Sequence, residues 1–121
     1  MAGKYGFPLQ KWEEAKEEIR QILIACAKLG NTVTYSELIS KVKTIELEPQ
    51  FYALAEMLGE ISTAEDNAGR GLLTVLVVRK VGDMMPGQGF FDLAESRGRD
   101  ISYKEKFWID ESNRVFAQWK E

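Results

Sequence analysis

Apolar residues recur at steps of three and four along the stretch from Gln10 to Leu29, and mostly charged or polar residues lie between them. This spacing is typical of an amphipathic helix with one buried face. Its apolar positions are Trp12, Ala15, Ile19, Ile22, Leu23 and Cys26. Gly30 predicts the end of the helix. Residues 1–9 contain two glycines and a proline, which favours a flexible arm before a single globular domain of residues 10–121.

Two further helices are predicted after this one. Thr34 and Glu37 have the spacing of a capping box, in which each side chain caps the other's backbone N–H. Pro49 suits the first turn of the next helix. The apolar face of that helix comprises Phe51, Leu54, Ala55, Leu58 and Ile61. Gly59 weakens it, and the segment Ser62–Glu65 has the spacing to cap a separate turn.

The run Leu72–Val78 is β-branched and almost continuously apolar, as in a strand that is covered on both faces. A lone strand needs a partner. We expect that partner in short strands at Thr32–Val33 and Gly89–Phe91, or in a second subunit. Two more helices follow, one at Phe90–Ser96 and one capped by Ser102–Glu105. The predicted fold class is α+β, mainly helical and winged-helix-like with a small sheet.

Composition narrows the chemistry further. The chain of 121 residues has no histidine and one cysteine, Cys26. The commonest general base, the Ser–His and Cys–His nucleophile pairs and the commonest metal ligand are therefore missing. We predict no catalytic residue, no metal and no cofactor. The sequence favours a non-catalytic protein and leaves enzymatic activity undecided.

The hydropathy pattern also bears on location. The longest apolar run, Leu72–Val78, is far shorter than the roughly 20 residues that span a bilayer. The segment Met1–Gln10 lacks the apolar core of a signal peptide. We expect a cytoplasmic protein that does not engage a membrane.

Several short motifs occur in a recognisable order. Gly-x-x-x-Thr-Tyr-x-Glu-Leu spans Gly30 to Leu38, and a helix ending Leu-Gly-x-Ile, an apolar strand ending in Val-Arg-Lys and a glycine-rich loop follow. Over about residues 12–95 this order resembles the winged-helix domain of the alkylguanine-DNA alkyltransferases and alkyltransferase-like proteins. The resemblance implies a winged-helix fold with Tyr35 and Arg79 at site positions. Where that family has Pro-Cys-His-Arg, this chain has Leu-Val-Val-Arg ending at Arg79, so alkyl transfer is excluded.

Charge is unevenly distributed along the chain. Between Thr44 and Gly69 there is no lysine or arginine, and the acidic residues there are Glu46, Glu48, Glu56, Glu60, Glu65 and Asp66. Phosphate contacts from lysine and arginine dominate nucleic-acid affinity, so DNA would repel the predicted helix 49–61. The net charge of −3 agrees with this. The candidate basic patch comprises Arg97, Arg99, Lys104 and Lys106, near the end of the chain.

The segment Pro86–Phe91 is the most distinctive loop. Its glycines permit close backbone approach, as in sites that cradle a phosphate or carboxylate. The same composition also suits a tight turn whose phenylalanines plug the core. The candidate binding residues are Tyr35, Glu60, Arg79, Lys80, Pro86, Gly87, Gly89 and Phe90.

Three classes of function follow. The favoured one is a non-catalytic interaction or adaptor module that binds a protein partner or a second copy of itself through an acidic helix face and exposed aromatic residues. The second is a nucleic-acid-binding protein that uses Arg79, Lys80 and the basic patch, and not the helix 49–61. The third is a small ligand-binding protein or enzyme in which Tyr35, Glu60, Arg79 and the 86–91 loop converge in one pocket.

Overall fold

The computed structural model describes residues 5–47, 52–80, 82 and 84–120. These ranges contain five α-helices and a parallel sheet of two short strands. In chain order the elements are α1 (Leu9–Lys28), β1 (Val33–Thr34), α2 (Tyr35–Lys41), α3 (Tyr52–Asn67), β2 (Val77–Val78), α4 (Gln88–Ser96) and α5 (Lys104–Trp119). The predicted α+β class, mainly helical with a small sheet, is confirmed. Within the described residues, no helix is long and apolar enough to cross a membrane.

Helix α1 buries the predicted apolar face. Its buried residues are Trp12, Ala15, Ile19, Leu23, Ile24 and Ala27. The chain before it also contacts the body of the domain: Tyr5 stacks on Trp12 with ring centroids 6.0 Å apart, and Phe7 packs against the core. The described part of the predicted arm, residues 5–9, is therefore packed, whereas residues 1–4 lie outside the described ranges.

The capping box predicted at Thr34 is present, and the one predicted at Ser102–Glu105 is not. Glu37 N donates to Thr34 Oγ1 at 3.1 Å, and Thr34 N donates to Glu37 Oε1 at 3.0 Å. The bond from Thr34 N stabilises the carboxylate and is the main cause that lowers the pKa of Glu37. At α5 the preceding residue is Tyr103, which makes no side-chain cap. The Ser102 N–H is instead bound by Asp100 at 2.9 Å, in a turn before the helix.

The apolar run Leu72–Val78 is buried as predicted, but most of it is not a strand. The segment Leu73–Leu76 forms a turn of 3₁₀ helix, and only the last two residues form β2. An apolar run without a clear period fits either conformation. Here the Ser62 hydroxyl favours the 3₁₀ turn over a strand, because its oxygen accepts a hydrogen bond from Thr74 N within that turn at 3.0 Å.

One of the two predicted partner strands exists. The strand expected at Thr32–Val33 is β1, shifted by one residue, and it pairs in parallel with β2. The prediction of a strand at Gly89–Phe91 is wrong, because these residues lie in α4. Helical spacing lets Phe90 and Phe91 form an aromatic cluster with Phe107 of α5, with ring centroids 5.6 to 6.2 Å apart.

Helix α3 is continuous from Tyr52 to Asn67. Gly59 does not interrupt it, and the segment Ser62–Glu65 lies inside the helix instead of capping a separate turn. Ser62 is fully buried and shares a hydrogen bond of 2.5 Å with the Thr74 hydroxyl, so its polar group has a tertiary partner. The predicted start at Pro49 lies outside the described residues.

Candidate functional site

Tyr35 connects the second helix to the loop before α4. It is the first residue of α2, directly after the N-cap Thr34, and its hydroxyl oxygen accepts a hydrogen bond from Gly87 N at 3.0 Å. A Cβ at Gly87 would lie only 3.3 Å from this hydroxyl. A glycine at this position lets the backbone approach the Tyr35 side chain closely. Pro86 is buried beside it in the chain. Two of the predicted site regions therefore meet.

An enclosed cavity of about 180 Å³ lies beside Tyr35, and we call it the Phe90 pocket. It is lined by Tyr35, Ala55, Leu58, Gly59, Thr74, Gly89, Phe90 and Leu93. The lining is mostly apolar, and the Tyr35 and Thr74 hydroxyls already have hydrogen-bond partners. A cavity of about 150 Å³ holds benzene. The Phe90 pocket is therefore large enough for one bulky apolar group.

This pocket adjoins a wider groove of about 750 Å³, which we call the α3 groove. The groove is lined by Tyr5, Lys16, Tyr52, Ala55, Glu56, Gly59, Glu60, Thr63, Ala64, Asn67 and Leu93. Eight of these residues form the outward face of α3, which rises roughly 22 Å along the groove. Ala55, Gly59 and Leu93 line both cavities, so the pocket lies at the side of the groove.

The floor of the α3 groove includes small residues. Ala55, Gly59 and Thr63 line it at four-residue spacing, and Ala64 also lines it. A glycine inside a helix costs about 1 kcal/mol relative to alanine. A Cβ at Gly59 would meet no atom of the described chain within 4 Å. Among the described residues, packing therefore does not require the glycine, and the space above it is open to them.

Glu60, a predicted site residue, lies in the groove but is engaged by neighbours from α1. It accepts hydrogen bonds from Trp12 Nε1 at 3.0 Å and from Lys16 Nζ at 2.8 Å. Burial opposes the charge of Lys16, but the hydrogen bonds and charges of Glu60 and Glu13 outweigh it and raise the pKa of the lysine. Glu60 therefore joins α3 to α1 at the groove wall.

Arg79 and Lys80 lie apart from both cavities. Their side chains are exposed, and neither residue lines the Phe90 pocket or the α3 groove. The Arg79 backbone N–H donates to Met85 O at 3.0 Å, which turns the loop back beside β2. Of the residues predicted to share one pocket, Tyr35, Gly89 and Phe90 line the Phe90 pocket, Glu60 lies in the adjoining groove, and Arg79 lies in neither.

The two arginines of the predicted basic patch are bound to carboxylates. Arg97 Nε donates to Asp66 Oδ2 at 2.6 Å, and Arg99 Nη2 donates to Asp66 Oδ1 at 2.7 Å. Arg99 Nε also lies 3.4 Å from Glu111 Oε1. The hydrogen bond from Arg99 is the main cause that lowers the pKa of Asp66, and burial opposes it.

The two lysines of the patch have partners as well. Lys104 Nζ donates to Gln88 Oε1 at 2.9 Å and lies 5.1 Å from the ring centroid of Phe91. Lys106 Nζ lies 2.6 Å from Asp110 Oδ2 one helical turn along α5. The positive charge visible in the sequence is therefore partly neutralised within the fold.

Glu65 is the most buried carboxylate of α3, at 2% exposure. It accepts from Arg20 Nε at 2.8 Å and from Arg70 Nε at 2.7 Å. Burial opposes ionisation, but these bonds outweigh it and lower the pKa of Glu65. Both guanidinium groups also lie within 6 Å of the Trp119 ring centroid.

Glu65, Asp66 and Glu111, with their bound arginines, form what we call the arginine–carboxylate frame. Glu111 completes it by accepting a hydrogen bond from Leu72 N at 2.8 Å. Sequence reasoning missed this frame, because its pairs join residues as far as 45 positions apart. The available signal was the position of Glu65 on the apolar side of α3, at four-residue spacing from Ile61.

Other chemistry is sparse in the described part of the chain. No group of three or more acidic, cysteine or histidine side chains is arranged there to hold a metal ion. Cys26 is half-buried, and burial raises the pKa of its thiol, which disfavours the reactive thiolate. The two cavities are therefore the best-defined candidate sites.

The chain was compared with protein-family models, curated proteins and solved structures, and none of them matched. The resemblance to the alkyltransferase-like winged-helix domain remains a prediction.

Proposed function

We propose that this protein is a non-catalytic interaction module that binds a segment of a partner protein along the α3 groove. The observation that carries the proposal is the continuity of two cavities. An open groove of about 750 Å³ has an enclosed pocket of about 180 Å³ at its side. An elongated groove with one deep pocket suits a peptide segment whose anchor side chain enters the pocket.

Two exposed tyrosines at the groove support this function. Tyr52 is 76% exposed and Tyr5 is 48% exposed, and both line the groove. Tyrosine is enriched among the residues that contribute most binding energy at protein interfaces. The acidic face expected to dock a partner contributes less than the sequence suggests, because Glu60 and Glu65 are bound within the fold.

A small-molecule ligand is the second candidate, and the enclosure of the Phe90 pocket favours it. Mostly apolar lining with a few polar groups is typical of ligand sites. Its volume of about 180 Å³ is below the usual 300–1,000 Å³ of such sites, so we rank it second. Nucleic-acid binding has less support, because the arginines of the basic patch are bound to Asp66 and Glu111.

Peptide display tests the proposed function. A random dodecapeptide library is selected on the immobilised protein, and each enriched peptide is then titrated against two variants. Gly59→Gln places a neutral, helix-compatible side chain in the open groove. Ala117→Gln is the matched control, an exposed position of α5 that lines neither cavity.

We expect enriched peptides whose affinity falls by about tenfold or more in Gly59→Gln and stays within about twofold in Ala117→Gln. Circular dichroism confirms that both variants are folded. If no enriched peptide distinguishes the two variants, the α3 groove is not a peptide site and the proposal fails. A fragment screen that finds small rings in the Phe90 pocket, without groove-dependent peptides, would favour the second candidate.

A further inference from the structure

The deep part of the site selects for apolar chemistry. The Phe90 pocket is bounded by the side chains of Leu58, Phe90 and Leu93. Its two hydroxyl groups are already bound, Tyr35 to Gly87 N and Thr74 to Ser62. A polar group entering the pocket would lose its water for few partners, because most of the lining is apolar. An aliphatic or aromatic side chain of up to about benzene size fits without that cost.

The open part of the site selects for positive charge. The α3 groove continues along α1 into a smaller stretch of about 340 Å³, which shares Lys16, Glu60 and Ala64 with it. Four carboxylates line this stretch, those of Glu13, Glu17, Glu60 and Glu65. Among the described residues they share the cations Lys16, Arg20 and Arg70, so negative charge predominates there.

Each of two cations of α1, Lys16 and Arg20, is shared between an acid of α3 and an acid of α1. The excess negative charge therefore lies on the exposed acids of α1. Lys16 lies between Glu60 at 2.8 Å and Glu13 at 3.3 Å. Arg20 lies between Glu65 at 2.8 Å and Glu17 at 3.3 Å. The side chains of Glu13 and Glu17 are 57% and 58% exposed, so they are the accessible negative charges beside the groove.

From this combination we infer that the partner segment is cationic, with one bulky apolar residue that enters the Phe90 pocket and lysine or arginine residues that face Glu13 and Glu17. The inference rests on the proposed function and names the partner's chemistry. Charge complementarity across such an exposed rim acts mainly on the association rate and depends on salt. The apolar anchor should be insensitive to salt.

The test uses the groove-dependent peptides from the selection, defined as those that lose binding to Gly59→Gln. We expect them to be enriched in lysine and arginine, and each to contain an aromatic or large aliphatic residue. Replacing that residue by alanine should weaken binding by about tenfold or more. Raising NaCl from about 0.05 M to about 0.5 M should weaken binding several-fold, because the Debye length shortens.

The double variant Glu13→Gln/Glu17→Gln should remove most of this salt dependence without unfolding the protein, since both side chains are exposed. Glu105→Gln, an exposed acid on α5, should leave the salt dependence unchanged. Groove-dependent peptides that are neutral or acidic, or whose binding does not respond to salt, would overturn the inference and leave the proposed function standing. A selection without groove-dependent peptides would overturn both.

Discussion

The acidic residues on the two sides of α3 differ in how many arginines and lysines bind them. On the inner side, Glu65 and Asp66 are each bound by two arginines drawn from other parts of the chain. On the outer side, small residues leave an open groove in which Glu60 is held at the wall by Lys16. The sequence shows only a helix rich in acids. The structure shows that the inner acids join α3 to other parts of the chain. The groove exists because the outer side of α3 carries small side chains.

This difference separates two kinds of substitution. Changes on the inner side should destabilise the protein whether or not a partner is present. Changes at the groove should alter binding and leave stability equal or higher.

Replacing Glu65 should have the largest effect on stability. Glu65→Gln leaves Arg20 and Arg70 without their shared carboxylate in a largely buried site. Breaking a fully buried pair costs about 3–5 kcal/mol, and the partly exposed arginines reduce this to about 2–3 kcal/mol in the free energy of unfolding. Urea denaturation measures it. The control Glu14→Gln, at an exposed acid, should change stability by less than about 0.5 kcal/mol. Equal effects at both positions would remove the distinction between the two sides.

Gly71→Ala should destabilise the protein by about 2 kcal/mol, because it strains the backbone and disturbs the frame. The φ of Gly71 is +89°, and a Cβ there would lie 3.2 Å from Glu111 Oε2. Gly69→Ala is the matched control, since its φ is +81° but its Cβ would meet no described atom within 4 Å. The control should cost about 1 kcal/mol from strain alone. Thermal unfolding of the two variants gives the contribution of the contact with Glu111 by difference, and no difference would mean that the contact is unimportant.

Stability should fall in acid, and the frame should account for much of the loss. The arginines lower the pKa of Glu65 and Asp66 in the folded state. The unfolded chain therefore binds more protons near the ordinary carboxyl pKa of about 4. The stabilisation is present above that pH and is lost as the pH falls through the lower folded-state pKa values. Denaturation midpoints between about pH 6 and pH 2 measure it, and Glu65→Gln should flatten the curve. An unchanged curve would show that other carboxylates dominate acid unfolding.

Gly59→Ala should have the smallest effect and the opposite sign. Alanine has the higher helix propensity, and its Cβ meets no described atom within 4 Å, so the free energy of unfolding should rise by about 0.5–1 kcal/mol. Chemical denaturation measures the change. A loss of stability would show that the groove floor is packed against something and would weaken the proposed function.

Local patterns in the sequence predicted much of the fold. The buried face of α1 and the capping box at Thr34 were predictable, because both depend on residues within a few positions of each other. The conformation of Leu73–Leu76 was not, because a continuous apolar run carries no period and a hydroxyl from α3 fixes its geometry. The frame was not predictable either, since proximity between Glu65 and Arg20 exists only after the helices have packed.

The candidate site was only partly predictable. The meeting of Tyr35 with the loop before α4 agrees with the expected convergence, but Arg79 lies elsewhere. The α3 groove was not predicted, because the acids of α3 indicate a charged helix face. Ala55, Gly59 and Thr63 follow one another at four-residue spacing, and such a row of small residues on a surface helix is a readable sign of a groove.

The long separations within the frame bear on how fast the protein unfolds. Arg20 and Glu65 are 45 positions apart, and Glu111 and Leu72 are 39 apart. Contacts between such distant positions require large loops to close, and we expect the ion pairs of the frame to form after the rate-limiting step of folding. Weakening them should then speed unfolding and barely slow refolding, which stopped-flow measurements on Glu65→Gln can resolve. In that case the frame sets the lifetime of each folded molecule, and with it how long the groove stays assembled while it waits for a partner.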